Sequence, residues 1–159
     1  MTAVSRPASP GLVMAVGGLL AVLGLFHVFI DTLTYGAFLL ATVAVKTLRV
    51  LTGTRKEKRW FLLLFATLGF ALLALLGLDE GYNTLAIRAL LILAGLKLLE
   101  TESARDVIVL VFLGFFLVAT VFLLEQGIAS WVLGFAMVWA LSAVLSTSGL
   151  TGDEINWRE

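Results

Sequence analysis

The chain has no cysteine, two prolines and one histidine. Without cysteine there is no disulfide, no thiolate nucleophile and no cysteine metal site. With His27 as the single imidazole, a zinc site on the usual His/Cys ligands is not expected, and no cofactor is expected either. Net charge is zero, so no overall field draws the protein toward nucleic acid or an acidic substrate. Neither polar tail is a strong enough basic footprint for nucleic-acid binding. Charged residues make up 14% of the chain, against about 25% in soluble domains. Pro7 and Pro10 both precede the first apolar stretch, so no stretch is interrupted by proline. Nor is there an internal repeat of the kind on which many transporters are built.

Apolar residue is what the chain has in quantity: 60% of it, against about 45–50% in soluble proteins. It is gathered into stretches at Gly11 to Ile30, Thr32 to Leu51, Trp60 to Leu78, Thr84 to Leu99, Val107 to Leu124 and Ile128 to Leu145. About 20 such residues cross a hydrocarbon core of about 30 Å. Trp60 to Leu78 has no polar face, its one hydroxyl being Thr67, and an element apolar all round must be buried in protein or lipid. The expectation is an all-α integral membrane protein, a six-transmembrane-helix bundle of antiparallel hairpins joined by short links. The fourth stretch is the weakest, being short and carrying Arg88. The first is longer than a signal-peptide core and ends in no clean cleavage site, so it reads as a retained span.

Lysine and arginine set the orientation. The break from Arg49 to Arg59 holds Arg49, Arg55, Lys56, Lys58 and Arg59 against Glu57, and is predicted to face the cytoplasm. The breaks at Asp31, at Asp79 and Glu80, and at Glu125 and Gln126 contain no lysine or arginine and fall outside. Lys97, Arg105 and both termini then lie inside. The predicted organisation is a cytoplasmic tail at 1–10, a membrane domain at 11–146 and a cytoplasmic tail at 147–159. The corresponding location is a membrane bounding the cytoplasm, crossed several times. Gly17, Ala21 and Gly24 on the first helix, and Ala136, Ala140 and Ala143 on the sixth, place small residues on one face, where helices pack closely in lipid. Internal packing seams are the expectation for both faces, ahead of a dimer interface.

The segment Leu96 to Gln126, LKLLETESARDVIVLVFLGFFLVATVFLLEQ, resembles the N-terminal membrane domain of the TgpA-type transglutaminase-like proteins of bacteria. In that family a helix ends in a KLLE-like motif and a short polar turn ends in Arg-Asp. A helix of the form FLGYFL follows and runs to Phe-Leu and a glutamine. The matching positions are Lys97, Leu98, Leu99, Glu100, Arg105, Asp106, Phe112, Leu113, Gly114, Phe116, Leu117, Thr120, Phe122, Leu123 and Gln126. Full-length members look like a helical bundle followed by an extracytoplasmic catalytic domain with a cysteine nucleophile. This chain has no cysteine, so the resemblance implies a relative whose activity is not carried here. It implies either a stand-alone membrane module or a piece of something longer.

The remaining charges supply the candidate sites. Lys97, Glu100, Arg105 and Asp106 flank one turn. They read as a charge cluster that pins two helices, or as a docking site. Arg88, His27 and Asp31 are the candidate intramembrane polar groups, by default functional candidates. Arg88 also reads as snorkelling outward to the interface, and His27 with Asp31 as an interfacial pair four residues apart. Lys46 and Arg49 read as snorkelling anchors, and Arg55, Lys56, Lys58 and Arg59 as contacts to lipid headgroups. The expected function is a non-enzymatic membrane module, an anchor, scaffold or assembly subunit. Its expected partners are membrane lipids and a protein partner or larger membrane complex, with no nucleic acid. The alternative is a small transporter or channel with a polar path through Arg88, His27 and Asp31.

Overall fold

The computed structural model describes residues 7–29, 33–53, 59–76 and 82–150. They form six helices: α1 (Pro10–Phe29), α2 (Leu33–Leu51), α3 (Arg59–Leu76), α4 (Tyr82–Glu100), α5 (Ala104–Leu124) and α6 (Ile128–Leu150). There is no strand among the described residues, only an isolated bridge between Pro7 and Ser103. Each helix lies where an apolar stretch predicts one. The helix α6 continues past Leu145, where Ser146 and Thr147 return their hydroxyls to Ala143 O and Val144 O and no proline intervenes. Four helices (α1, α2, α5 and α6) are long and apolar enough to cross a membrane. The apolar part of α3, Trp60–Leu75, is shorter. The α4 sequence carries Arg88, Lys97 and Glu100.

Contacts fix the directions of the helices. Gly24 meets Gly36 and Leu39, and Gly17 faces Val43, so α1 and α2 run antiparallel. A Cβ on Gly36 would sit 2.7 Å from Gly24 O and 2.9 Å from Val28 N, so only glycine admits this backbone contact. The glycine-bearing face of α1 is therefore an internal seam. Gly95 lies against Thr42 while Lys46 reaches Leu99, which sets α2 and α4 parallel. Gly69 packs on Ile92, and Leu62 and Glu100 line one groove, so α3 runs antiparallel to α4. Gly114 against Leu141 and Gly134 against Phe122 give an antiparallel α5 and α6.

The core belongs to α1, α2, α4 and α5: Leu20, Leu23, Leu39, Leu91, Leu98, Leu110 and Leu117 are fully buried. The helix α6 adds Met137 and Leu141, and α3 adds no buried hydrophobic side chain among the described residues. Of the alanines predicted to form a seam on α6, Ala136 and Ala143 are exposed and Ala140 is half-buried. The inward face of α6 is instead Ser130, Gly134, Met137 and Leu141. Those four positions lie three to four residues apart, and their spacing alone does not distinguish them from the alanines one turn round.

Candidate functional site

Polar side chains concentrate where α4 hands over to α5. Ser103 is the N-cap of α5, in extended backbone, and its hydroxyl oxygen accepts from Asp106 N. The Asp106 carboxylate returns the favour, accepting from Ser103 N at 3.0 Å and from the Ser103 hydroxyl at 2.7 Å. This is a capping box, and it satisfies donors that a helix start otherwise leaves open. The other carboxylate oxygen accepts from Lys97 Nζ at 2.8 Å, and Lys97 also reaches Glu100 at 3.2 Å. Each of these donors favours the ionised carboxylate. Glu100 is 63% exposed, so its share of the pairing is screened and small. Arg105 is exposed and makes none of these contacts. Three of the four residues of the predicted cluster thus meet, and Asp106 is their centre.

Two further segments converge on the same turn. Ala8 N donates to Glu102 O at 2.9 Å, which ties the segment before α1 to the turn. Lys46, one and a half turns from the end of α2, donates from Nζ to Leu99 O and to Thr101 O, each at 2.9 Å. A lysine at the last carbonyls of a helix satisfies orphan acceptors and complements the negative end of the dipole. Lys46 is 7% exposed; rather than snorkelling away from the bundle, it turns into it. The signal lies in the register: Lys46 shares a face with Tyr35, Leu39 and Thr42, all of them buried. Arg49, one turn on, places its guanidinium 4.0 Å above the Phe61 ring and so joins α2 to α3.

The TgpA N-terminal domain family matches residues 3–153, nearly the whole chain and all of this junction. The chain belongs to that family. No curated protein and no solved structure matches it. The match is to an N-terminal domain, not to a catalytic one. The junction of this TgpA N-terminal domain falls in the motif segment that carries the resemblance. There Lys97 of α4 bonds Asp106 of α5, while Glu100 pairs with Lys97 on its own helix.

At the opposite end of the domain, Arg88 and His27 are both enclosed. Arg88 is 7% exposed, and its guanidinium lies 5.0 Å from the centre of the Tyr35 ring. Tyr35 donates its hydroxyl to Leu72 O at 3.1 Å, so this contact gathers α2, α3 and α4. Arg88 is therefore enclosed against Tyr35 within the bundle. His27 is fully buried. Its Nδ1 donates to Leu23 O at 2.8 Å, and its Nε2 lies 3.1 Å from Thr120 Oγ1. Thr120 also bonds Leu117 O at 2.7 Å. In the neutral ring the one hydroxyl proton is shared between Nε2 and Leu117 O; in the charged ring Nε2 donates and both bonds close.

His27 occupies the α1–α5 seam and Arg88 the α2–α4 seam. Four cavities stand out, and neither residue lines any of them. Asp31, Arg55, Lys56 and Lys58 lie outside the described residues, as does the Arg59 side chain. The predicted His27–Asp31 pair and the predicted headgroup cluster fall there. No group of three metal-ligating side chains occurs among the described residues.

Proposed function

We propose that this TgpA N-terminal domain is a non-enzymatic membrane module, an anchor, scaffold or assembly subunit for a protein partner. In this reading its six helices cross the bacterial inner membrane, with both termini and the α4–α5 junction on the cytoplasmic side. Arg55, Lys56, Lys58 and Arg59 then lie among anionic headgroups. The observation that carries the proposal is where the polar groups go. Lys46 and Lys97 close bonds from one helix to another or to the turn between α4 and α5, and Ser103 with Asp106 caps the start of α5. Such a junction fixes a shape, and the family is one of N-terminal domains joined in larger proteins to other parts. Affinity purification in mild detergent from the native host, with mass spectrometry of the eluate, tests it. A stoichiometric partner, in particular one with an extracytoplasmic transglutaminase-like domain, supports the module.

The enclosed Arg88 and His27 favour one competing reading, a small transporter or channel with a polar path through Arg88, His27 and Asp31. A partnerless protein that carries ion or solute flux in liposomes, with flux lost in Arg88→Gln, would replace the module with that reading.

A further inference from the structure

The outward seam between α3 and α4 is left open. Two apolar hollows, of about 360 and 190 Å³, lie along it and share Leu96. Ala66 and Ala89 are among their lining residues, small side chains that let another helix approach closely. Phe70 and Leu93 line the same groove and are exposed. One charged residue lines it, Glu100, at the end where α4 meets the turn to α5. On α5 the exposed side chains Arg105, Val109, Phe112 and Phe116 recur at helical spacing and form a ridge. We propose that a second copy of this chain docks here, its α5 ridge in the α3–α4 groove, the contact being reciprocated in a two-fold dimer.

Length, charge and placement select that occupant. Ala89 to Glu100 and Arg105 to Phe116 each span eleven residues, about 16 Å of helix, so groove and ridge match in length. Both begin at the junction, since Glu100 ends α4 and Arg105 lies in the first turn of α5. Glu100 of each copy therefore meets Arg105 of the other. Lys97 only partly answers Glu100: it stands 3.2 Å from that carboxylate and 2.8 Å from Asp106, one ammonium divided between two acids. Groove and ridge also share one face of the domain. On α4 the groove lies between the contact of Ile92 with α3 and the contact of Lys97 with α5. On α5 the ridge adjoins Asp106, which meets α4, and lies across the helix from Gly114, which meets α6. Two copies in one membrane keep the same orientation, so a two-fold axis along the membrane normal sets α5 of each against α3 and α4 of the other. The outer face of α6 is also apolar, but α6 has no acid in its first turn and no base in its last, and offers no such pairing. The inference rests on the membrane placement proposed above and not on the protein partner.

The test exploits a chain free of cysteine. Two differently tagged full-length copies, one with Leu93→Cys and one with Phe112→Cys, are expressed together and oxidised in native membranes. Leu93 lies seven residues from Glu100 and Phe112 seven from Arg105, so a disulfide between the two copies is expected. Leu93→Cys paired with Trp139→Cys on the outer face of α6 is expected to give none. In liposomes, Glu100→Arg or Arg105→Glu alone should weaken the dimer on the order of 5-fold, the effect of losing two exposed ion pairs. The double exchange should restore it. Melting temperatures separate weaker association from a damaged fold, and if a charge variant does not fold the cysteine pair still decides. Crosslinking no better than the α6 control would overturn the proposal. So would single charge exchanges that fold and leave the dimer unchanged, or Leu93→Cys captured only by a different protein. A chain washed from membranes by alkaline carbonate would overturn the membrane placement and the dimer together. A chain retained there but monomeric at every protein-to-lipid ratio would overturn the dimer alone.

Discussion

The helices α3 and α4 are consecutive and nearly equal in length, 18 and 19 residues, yet they are opposites. The α3 helix is apolar except for Arg59 and Thr67, and its Trp60, Leu63, Leu64, Leu68, Phe70 and Leu75 are exposed. The α4 helix carries Arg88 and Lys97 and is the least membrane-like of the six in composition, yet Ile87, Arg88, Leu91, Ile92, Leu98 and Leu99 are all buried. In the proposed membrane reading, composition and burial run in opposite senses because a lipid solvent penalises polar groups on the outside and tolerates them within the protein. A helix enclosed by α2, α3 and α5 finds partners for its charges, as Arg88 does on Tyr35 and Lys97 on Asp106. A helix at the rim finds none, and has to be apolar.

The sharpest test of this contrast pairs one leucine from each helix. Leu98→Ala in α4 should cost about 2–5 kcal/mol of stability by leaving a core cavity. Leu68→Ala in α3 should stay within about 0.5 kcal/mol, as at other exposed positions. Equal losses in detergent-state unfolding would break the comparison. A charge on the rim comes next. Leu68→Arg should reduce membrane insertion of α3 by about 2.5–3.5 kcal/mol, read in a translocation assay. Unimpaired insertion would mean that the face of α3 does not lie in hydrocarbon.

Smaller effects sharpen the picture at the junction. Asp106→Asn should lower stability by about 1–3 kcal/mol, since it removes a charge that Lys97 and Ser103 both address. Glu100→Gln should cost under about 1 kcal/mol because its partner contact is exposed. A larger loss for Glu100 than for Asp106 in the same melting experiment would move the centre of the network. The smallest effect is expected of Thr67→Val. Its hydroxyl bonds only Leu63 O within its own helix, and the change should stay within about 0.5 kcal/mol.

Much of this is legible along the chain. Apolar runs of bilayer length bounded by short polar breaks mark the helices, because both the length and the polarity are local properties. Ser103 and Asp106, three apart and just before an apolar run, are a capping-box signature. Lys97 with Glu100 is a local pair of the same kind. Lys46 and Arg88 were harder. Each is a long cation in an apolar helix; register places Lys46 on the face of Tyr35, Leu39 and Thr42, but nothing nearby in sequence says which face turns to the core. The partners that decide it, Leu99 O and Thr101 O for Lys46 and Tyr35 for Arg88, are about fifty residues away. His27 is similar: its partner Thr120 lies 93 residues on.

The sequence by itself determined the number, position and apolar character of the helices, and the membership of the family, since each depends on runs and spacings of residues along the chain. Tertiary structure decided which helices form the core, which alanine or glycine faces become seams, and which cations are enclosed. The reason is physical: in helices apolar on nearly every face, hydrophobic periodicity does not say which side is inward. That choice is left to the fit of small residues such as Gly24 against Gly36, and to distant carbonyls and rings that only the folded bundle brings within reach.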